Sequence, residues 1–387
     1  MPIELKEVEQ AIGGITRRFD RAYWLKCYKE RRFTDELWQA MADAGLLGAG
    51  IPEEYGGVGG GLTETVAVMD GLSKAGLPPL YLVITGLSRA AILKHGTEEQ
   101  RQRYIPPTVT GEEKFCFAIT EPNAGTNSFK IQTLAKETGK GTYKITGQKI
   151  FISGADVAEW MLLVARTTPY SQVNDRKEGL ALFIVDAKAP GIELSPLNVM
   201  MVCPERQFIV NFDEVEVPAE NLVGEKDKGV RVLFDALNPE RLLIAAMSLG
   251  IGDFALQKAV EYANTRAPFD EPIGSYQALQ HPMAYAKAHL EASRLMLYKA
   301  AQVYDAGSVA GAESNMAKLL CTEAATEACE IALQTHGGYG FDLDYDVISL
   351  WSIARIMEVA PINNQMVLNF LGERVLGLPK SYGRFRG

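Results

Sequence analysis

Two stretches of the sequence combine residue types that could do chemistry. Residues 117–128, FAITEPNAGTNS, run from an apolar, strand-like segment into Pro122, Ala124 and Gly125. A strand end of that kind exposes backbone N–H groups, and Thr120 and Thr126 add hydroxyls, a donor set suited to a ring rich in acceptors and to a pyrophosphate. A polar hairpin turn accounts for the same residues equally well. Residues 237–242, LNPERL, read as a helix start, with Asn238 as N-cap and Pro239 as first helical residue, so that Glu240 projects from the helix end. Asn238 and Arg241, three apart, fall near one helix face while Glu240 turns to another. The helix dipole favours a first-turn glutamate without any catalysis and would lower its pKa, so useful basicity has to come from apolar burial with substrate bound.

Other candidates carry less. GIGDFA, residues 250–255, fits a dinucleotide fingerprint in letters only, because it lies inside a long helical period, where the glycines suit close helix packing. GGVGGG, residues 56–61, lacks the lysine and hydroxyl of a phosphate loop. The four histidines show no metal-ligand spacing, no G-x-S-x-G elbow occurs, and the five cysteines are scattered and never form C-x-x-C. These features predict no metal, no disulfide framework and a reducing, cytoplasmic setting. The net charge of −9 gives no basic footprint for nucleic acid, and the longest apolar stretches, such as 242–249, are too short to span a membrane.

The elements that must position these residues follow from hydrophobic periodicity. Helical spacing runs through the first third, as in FTDELWQAMADAGLLG; short β-rich runs such as YKITGQKIFIS, WMLLVART and LALFIVDA fill the middle; long helical periods then return to the end. The expected fold is α+β: an N-terminal helical domain (1–113), a middle β-barrel-like domain (114–225) and a C-terminal four-helix bundle (226–387).

Four segments, in order, resemble the acyl-CoA dehydrogenase family. FAITEPNAGTNS is similar to the strand and turn that face the flavin, and GQKIFISGAD (147–156) to the segment where an aromatic residue covers the isoalloxazine and a hydroxyl two positions on reaches N5. These places are held by Phe151 and Ser153, where the family more often has Trp and Thr. TRAPFDEPIGSYQALQ resembles the turn that meets a neighbouring subunit's flavin, and QTHGGYGF (334–341) the element that approaches the same nucleotide. The resemblance implies FAD, held by Phe117, Ile119, Thr120, Gly125, Thr126, Phe151, Ser153, Arg266, Phe269, Gln277, Gln334, Gly337, Gly338, Asn363 and Gln365. It also implies acyl-CoA as substrate, with Thr126, Asn238 and Arg241 contacting it, an electron-transferring flavoprotein as partner, and a homotetramer built as a dimer of dimers.

Many members place the base in a late E-G-T motif. Counting from Gly340 without gaps puts that position at Pro361, with Asn363 in the threonine's place, so Glu358 falls about one helical turn early. The isovaleryl- and long-chain members instead carry the base before an arginine on an earlier helix, in a pattern like L-D-x-E-R-L. By that resemblance Glu240 is the catalytic base. Pro361 departs from the family because it has no N–H for the thioester oxygen, and losing such a donor can cost roughly 3 kcal/mol. Two other readings stand beside the dehydrogenase: an oxidase or monooxygenase of the same fold, and a flavin-binding assembly subunit without turnover.

Overall fold

The computed structural model describes residues 4–380. The N-terminal part is helical: α1 (Leu5–Thr16), α2 (Arg21–Lys29), α3 (Asp35–Asp43), α4 (Leu62–Lys74), α5 (Leu80–His95), α6 (Glu98–Tyr104) and α7 (Pro106–Val109). A sheet follows, made of β1 (Phe115–Ala118), β2 (Leu134–Glu137), β3 (Thr142–Ser153), β4 (Trp160–Arg166), β5 (Leu180–Asp186), β6 (Ile192–Pro196), β7 (Gln207–Pro218) and β8 (Leu222–Val223). The last part comprises α8 (Gly229–Thr265), α9 (Gln277–Asp305), α10 (Gly311–His336), α11 (Ile348–Met357) and α12 (Asn364–Phe370). The α+β order of helices, sheet and helices is as the periodicity predicts.

The strands run β6-β7-β3-β2-β4-β5-β8, with β1 parallel to β4. Strands β4 and β5 read as unbroken apolar runs because both of their faces are covered. Met161, Leu163 and Ala165 point into a core built from the sheet's own residues, with Phe183, Val210 and Phe212. Leu162 and Val164 point the other way, onto a core shared with Leu87 and Ile92 of α5 and Val232 and Leu233 of α8. The sheet is thereby fixed to the helices that carry the candidate base.

Helix α8 is the central element and packs against α4, α5, α9, α10 and α11. It corrects one expectation. The helix starts at Gly229, so Asn238 is not an N-cap and Pro239 lies in the interior. An interior proline costs about 3 kcal/mol, but fully burying a Val or Leu side chain returns about 1.5–3 kcal/mol each. Val232 and Leu233, both almost fully buried, hold the first turns in helix despite the proline. Among the described residues α8 alone is long and apolar enough to cross a membrane, yet 78% of its most apolar window is buried inside the protein, as a core helix would be.

Gly250 and Gly252 occur where α8 meets its neighbours, as the packing reading of GIGDFA expects. A Cβ on Gly250 would stand 2.4 Å from Ser73 Cβ and 2.5 Å from the Asp70 carbonyl oxygen; one on Gly252 would stand 2.9 Å from Ala325 Cα. The obstruction is backbone as well as side chain, so Gly250→Ala should destabilise the protein by about 1–3 kcal/mol. A fall in the apparent unfolding temperature would register it. Gly13→Ala in α1, where the nearest atom is the end of Arg17 at 3.7 Å, should leave that temperature unchanged or slightly raised.

Candidate active site

Strand β1 leads into a tight turn in which the Glu121 N–H donates to the Ala124 carbonyl and the Ala124 N–H donates back to that of Glu121. A buried ion pair fixes this turn to β3. Lys149 Nζ donates to Glu121 Oε1 at 2.9 Å and to the Ile119 carbonyl at 2.9 Å, while Glu121 also accepts from the Gln132 and Thr133 N–H groups. Burial pulls the Lys149 ammonium down to about 8 against the pull of Glu121. Burial alone would raise Glu121, but Lys149 and the two N–H donors overcome it and hold the carboxylate below its ordinary range.

The Ile150 N–H donates to the Thr120 carbonyl, so the two predicted flavin segments lie side by side. A register shift in the β3–β7 pairing falls between Lys149 and Ile152. Within it Phe151 adopts a left-handed φ of 60° and is 57% exposed. A bulky aromatic residue held out of the core in that conformation is a strained arrangement of the kind found at functional sites. Ser153 accepts from Gln207 Nε2 at 2.7 Å. Phe117, Ile119 and Thr120 are half-buried, and Gly125 and Thr126 are exposed. Asn363 joins the set from the far end of the sequence: its Nδ2 donates to Thr126 Oγ1 at 3.1 Å, and its Oδ1 caps α12 by accepting from the Met366 N–H. Gln365 is exposed in the first turn of that helix.

Glu240 is half-buried, but its Oε2 is shielded from solvent and has no hydrogen-bond partner. Burial pushes its pKa up to about 8, with Arg241 opposing. This reverses the dipole expectation. Glu240 stands well inside α8, away from the first-turn N–H groups that would have lowered its pKa. Arg241 donates from Nη1 to Asn238 Oδ1 at 2.7 Å, and Asn238 Nδ2 donates to the Val309 carbonyl at 3.0 Å. The pair shares a helix face, as their spacing predicts, and both are largely buried. Glu358 differs in kind: it caps the end of α11 and pairs with Arg355 at 3.2 Å, an ordinary helix-end arrangement.

Comparison with known proteins adds a second line of evidence. Family models described as the N-terminal, middle and C-terminal domains of acyl-CoA dehydrogenase match residues 4–112, 116–209 and 227–376. Acyl-CoA dehydrogenase FadE12 of Mycobacterium tuberculosis is 40% identical over 98% of this chain and 97% of its own length. Butyryl-CoA dehydrogenase from Megasphaera elsdenii superposes with a TM-score of 0.90 at 28% identity, over 97% of this chain and 100% of that one. A chain from a structure of the electron-transferring flavoprotein of Acidaminococcus fermentans gives 0.91 at 29% identity, over 97% and 98%. The chain belongs to the acyl-CoA dehydrogenase family.

This acyl-CoA dehydrogenase is therefore an oxidoreductase acting on acyl-CoA, with FAD as its cofactor, and its residues fit that group. Phe151 is an exposed aromatic platform, Thr120, Thr126 and Ser153 supply hydroxyls on the two segments joined by the Ile150–Thr120 hydrogen bond, and a Cβ on Gly125 would meet nothing within 4 Å. A separate cleft of about 550 Å³ opens where α8 and α10 end, lined by Tyr262, Arg266, His336, Gly337, Gly338 and Tyr339. It unites Arg266 with the predicted glycines and offers a guanidinium that can hold two phosphate oxygens. Phe269, Gln277 and Gln334 are exposed but do not line this cleft. The buried lysines Lys149 and Lys318 had no signature in the sequence, because each takes its partner from a distant segment.

Proposed function

We propose that this acyl-CoA dehydrogenase removes two hydrogens from a fatty acyl thioester to give the trans-2-enoyl-CoA, with Glu240 taking the α-proton. The observation that carries this reading is the shielded, unpartnered Oε2 of Glu240, with a pKa pushed to about 8. A carboxylate with an unused acceptor site and a pKa near working pH is matched to general-base catalysis. When bound, the flavin supplies the hydride acceptor for the β-carbon. It would be held by Phe117, Ile119, Thr120, Gly125, Thr126, Phe151, Ser153, Asn363 and Gln365. The cleft at Arg266, Gly337 and Gly338 would serve a nucleotide of a second subunit in a homotetramer, with Phe269, Gln277 and Gln334 meeting that nucleotide from outside the cleft.

The remaining roles follow from side-chain placement. Arg241 and Asn238, bonded to one another on a helix face next to that of Glu240, would contact an incoming CoA. Pro361 offers no N–H, whereas the Ile362 N–H engages no acceptor among the described residues and suits the thioester oxygen. Electrons would pass to an electron-transferring flavoprotein in the cytoplasm, as part of fatty acid β-oxidation. Likeness to a chain from an electron-transferring flavoprotein structure supports that acceptor. The division at residues 113 and 225 remains the domain organisation we favour.

An anaerobic titration of the purified yellow protein with short, medium, long and branched acyl-CoAs tests this. One class should bleach the flavin band near ~450 nm, since hydride transfer to the cofactor is what that band reports. Bleaching with rapid turnover in air would point to an oxidase instead. A protein that no thioester bleaches would favour the assembly-subunit reading, which the proline at 361 motivates.

A further inference from the structure

Lys318, in α10, is fully buried and donates from Nζ to Asn364 Oδ1 at 2.6 Å and to the Glu358 carbonyl at 3.4 Å. Those acceptors stand at the two ends of the turn joining α11 to α12. The Asn364 N–H closes the same turn on the Glu358 carbonyl at 3.0 Å, and Asn364 Nδ2 donates to Thr322 Oγ1 of α10 at 3.2 Å. Between the anchored ends stand Pro361, Ile362 and Asn363, and Asn363 reaches across to Thr126 of the flavin segment. A single ammonium thus fixes both feet of a turn whose crown faces the site.

Stability alone does not account for a lysine here. Burial lowers its pKa to about 8, with Glu358 and Glu323 opposing and Arg241 adding to the fall. Replacing a buried charge together with the groups it pairs by well-packed apolar side chains is often neutral or stabilising, so stability does not by itself call for an ammonium at this place. We propose that Lys318 is a positioning residue for dehydrogenation, holding the 358–364 turn so that the Ile362 N–H and Asn363 meet thioester and cofactor in the reacting geometry. This deepens the reading given above, which takes that turn as a wall of the active site.

The test uses FAD-loaded wild type, Lys318→Met, Asn364→Ala and the double variant. Amide hydrogen exchange over residues 358–366 should speed up at least ~10-fold in Lys318→Met, because local opening then lacks its anchor. The rate of flavin reduction should fall on the order of 100-fold, the scale of a 1 Å misplacement, while the dissociation constant for acyl-CoA changes by less than about 3-fold. The double variant should lose no more than the worse single, since residues acting through one another are not additive. Unchanged exchange in Lys318→Met, losses that multiply in the double variant, or a Lys318→Met protein that fails to fold would each overturn the proposal. Exchange tests the anchoring whether or not a thioester bleaches the flavin. A reduction rate in Lys318→Met equal to that of a bleaching wild type would overturn the positioning role. Failure of the dehydrogenase reading would thus be seen separately, in wild type.

Discussion

Glu240→Gln is expected to leave the flavin oxidised when the responding acyl-CoA is added, with the reduction rate lowered by about 10²–10⁴-fold, the usual range for losing a positioned general base. Binding should persist, because glutamine keeps the shape and the Asn238–Arg241 hydrogen bond lies outside the substituted group. Glu358→Gln should change the rate by less than about 3-fold, as befits a helix-end carboxylate paired in the manner of surface ion pairs. Loss of bleaching in Glu358→Gln alone would move the base to the late position and overturn the assignment of Glu240. The base must be ionised to act, so kcat/KM in wild type should rise with pH and level off near about 8, and Glu240→Gln should lack that limb.

Stability should run in the opposite direction. The folded-state pKa of Glu240, about 8, lies above its ordinary value of 4.5, the reverse of the usual carboxylate case. Between those values the native state holds a proton that the unfolded state has released. Stability therefore falls as pH rises through that window and is level above it. Glu240→Gln removes this loss, so the variant should unfold at a higher temperature than wild type at pH near 8 and at about the same temperature at pH near 4. Equal unfolding temperatures across the range would mean that the carboxylate is not buried in the way described. A residue that lowers stability while retaining useful basicity is the trade expected of an active site.

Much of this was legible in the sequence for reasons that can be named. Strands β4 and β5 stood out as unbroken apolar runs because both of their faces are buried, and Gly250 and Gly252 could be placed inside a helix because the apolar period continues on either side. Asn238 and Pro239 misled because their local chemistry is that of a helix start; the burial of Val232 and Leu233, which extends α8 back to Gly229, is a tertiary effect. The positive φ of Phe151 depends on the β3–β7 register shift, which no local motif announces. The spacing rule that set Asn238 and Arg241 on one face held because it is a property of any helix, wherever the helix begins.

The other large effect expected is on stability, at Lys149. Its ammonium and the Glu121 carboxylate are 2.9 Å apart, with side chains 0% and 7% exposed. Lys149→Met would leave Glu121 buried with only the Gln132 and Thr133 N–H groups to answer its charge. Breaking such a pair from one side typically costs about 3–5 kcal/mol, so the apparent unfolding temperature should drop clearly. Retention of FAD should weaken with it, because Lys149 also holds the Ile119 carbonyl and, through Glu121, the turn leading to Thr126. Adding Glu121→Leu to Lys149→Met should recover part of the lost stability, since an apolar pair removes the orphaned charge while the buried Thr133 N–H is left without its acceptor. It should not recover FAD retention, because the Gln132 and Thr133 N–H groups lose the carboxylate that ties them to the flavin segment. Stability and cofactor retention recovering together would mean that the ion pair serves the fold alone; their separation is what its place between β1 and β3 predicts.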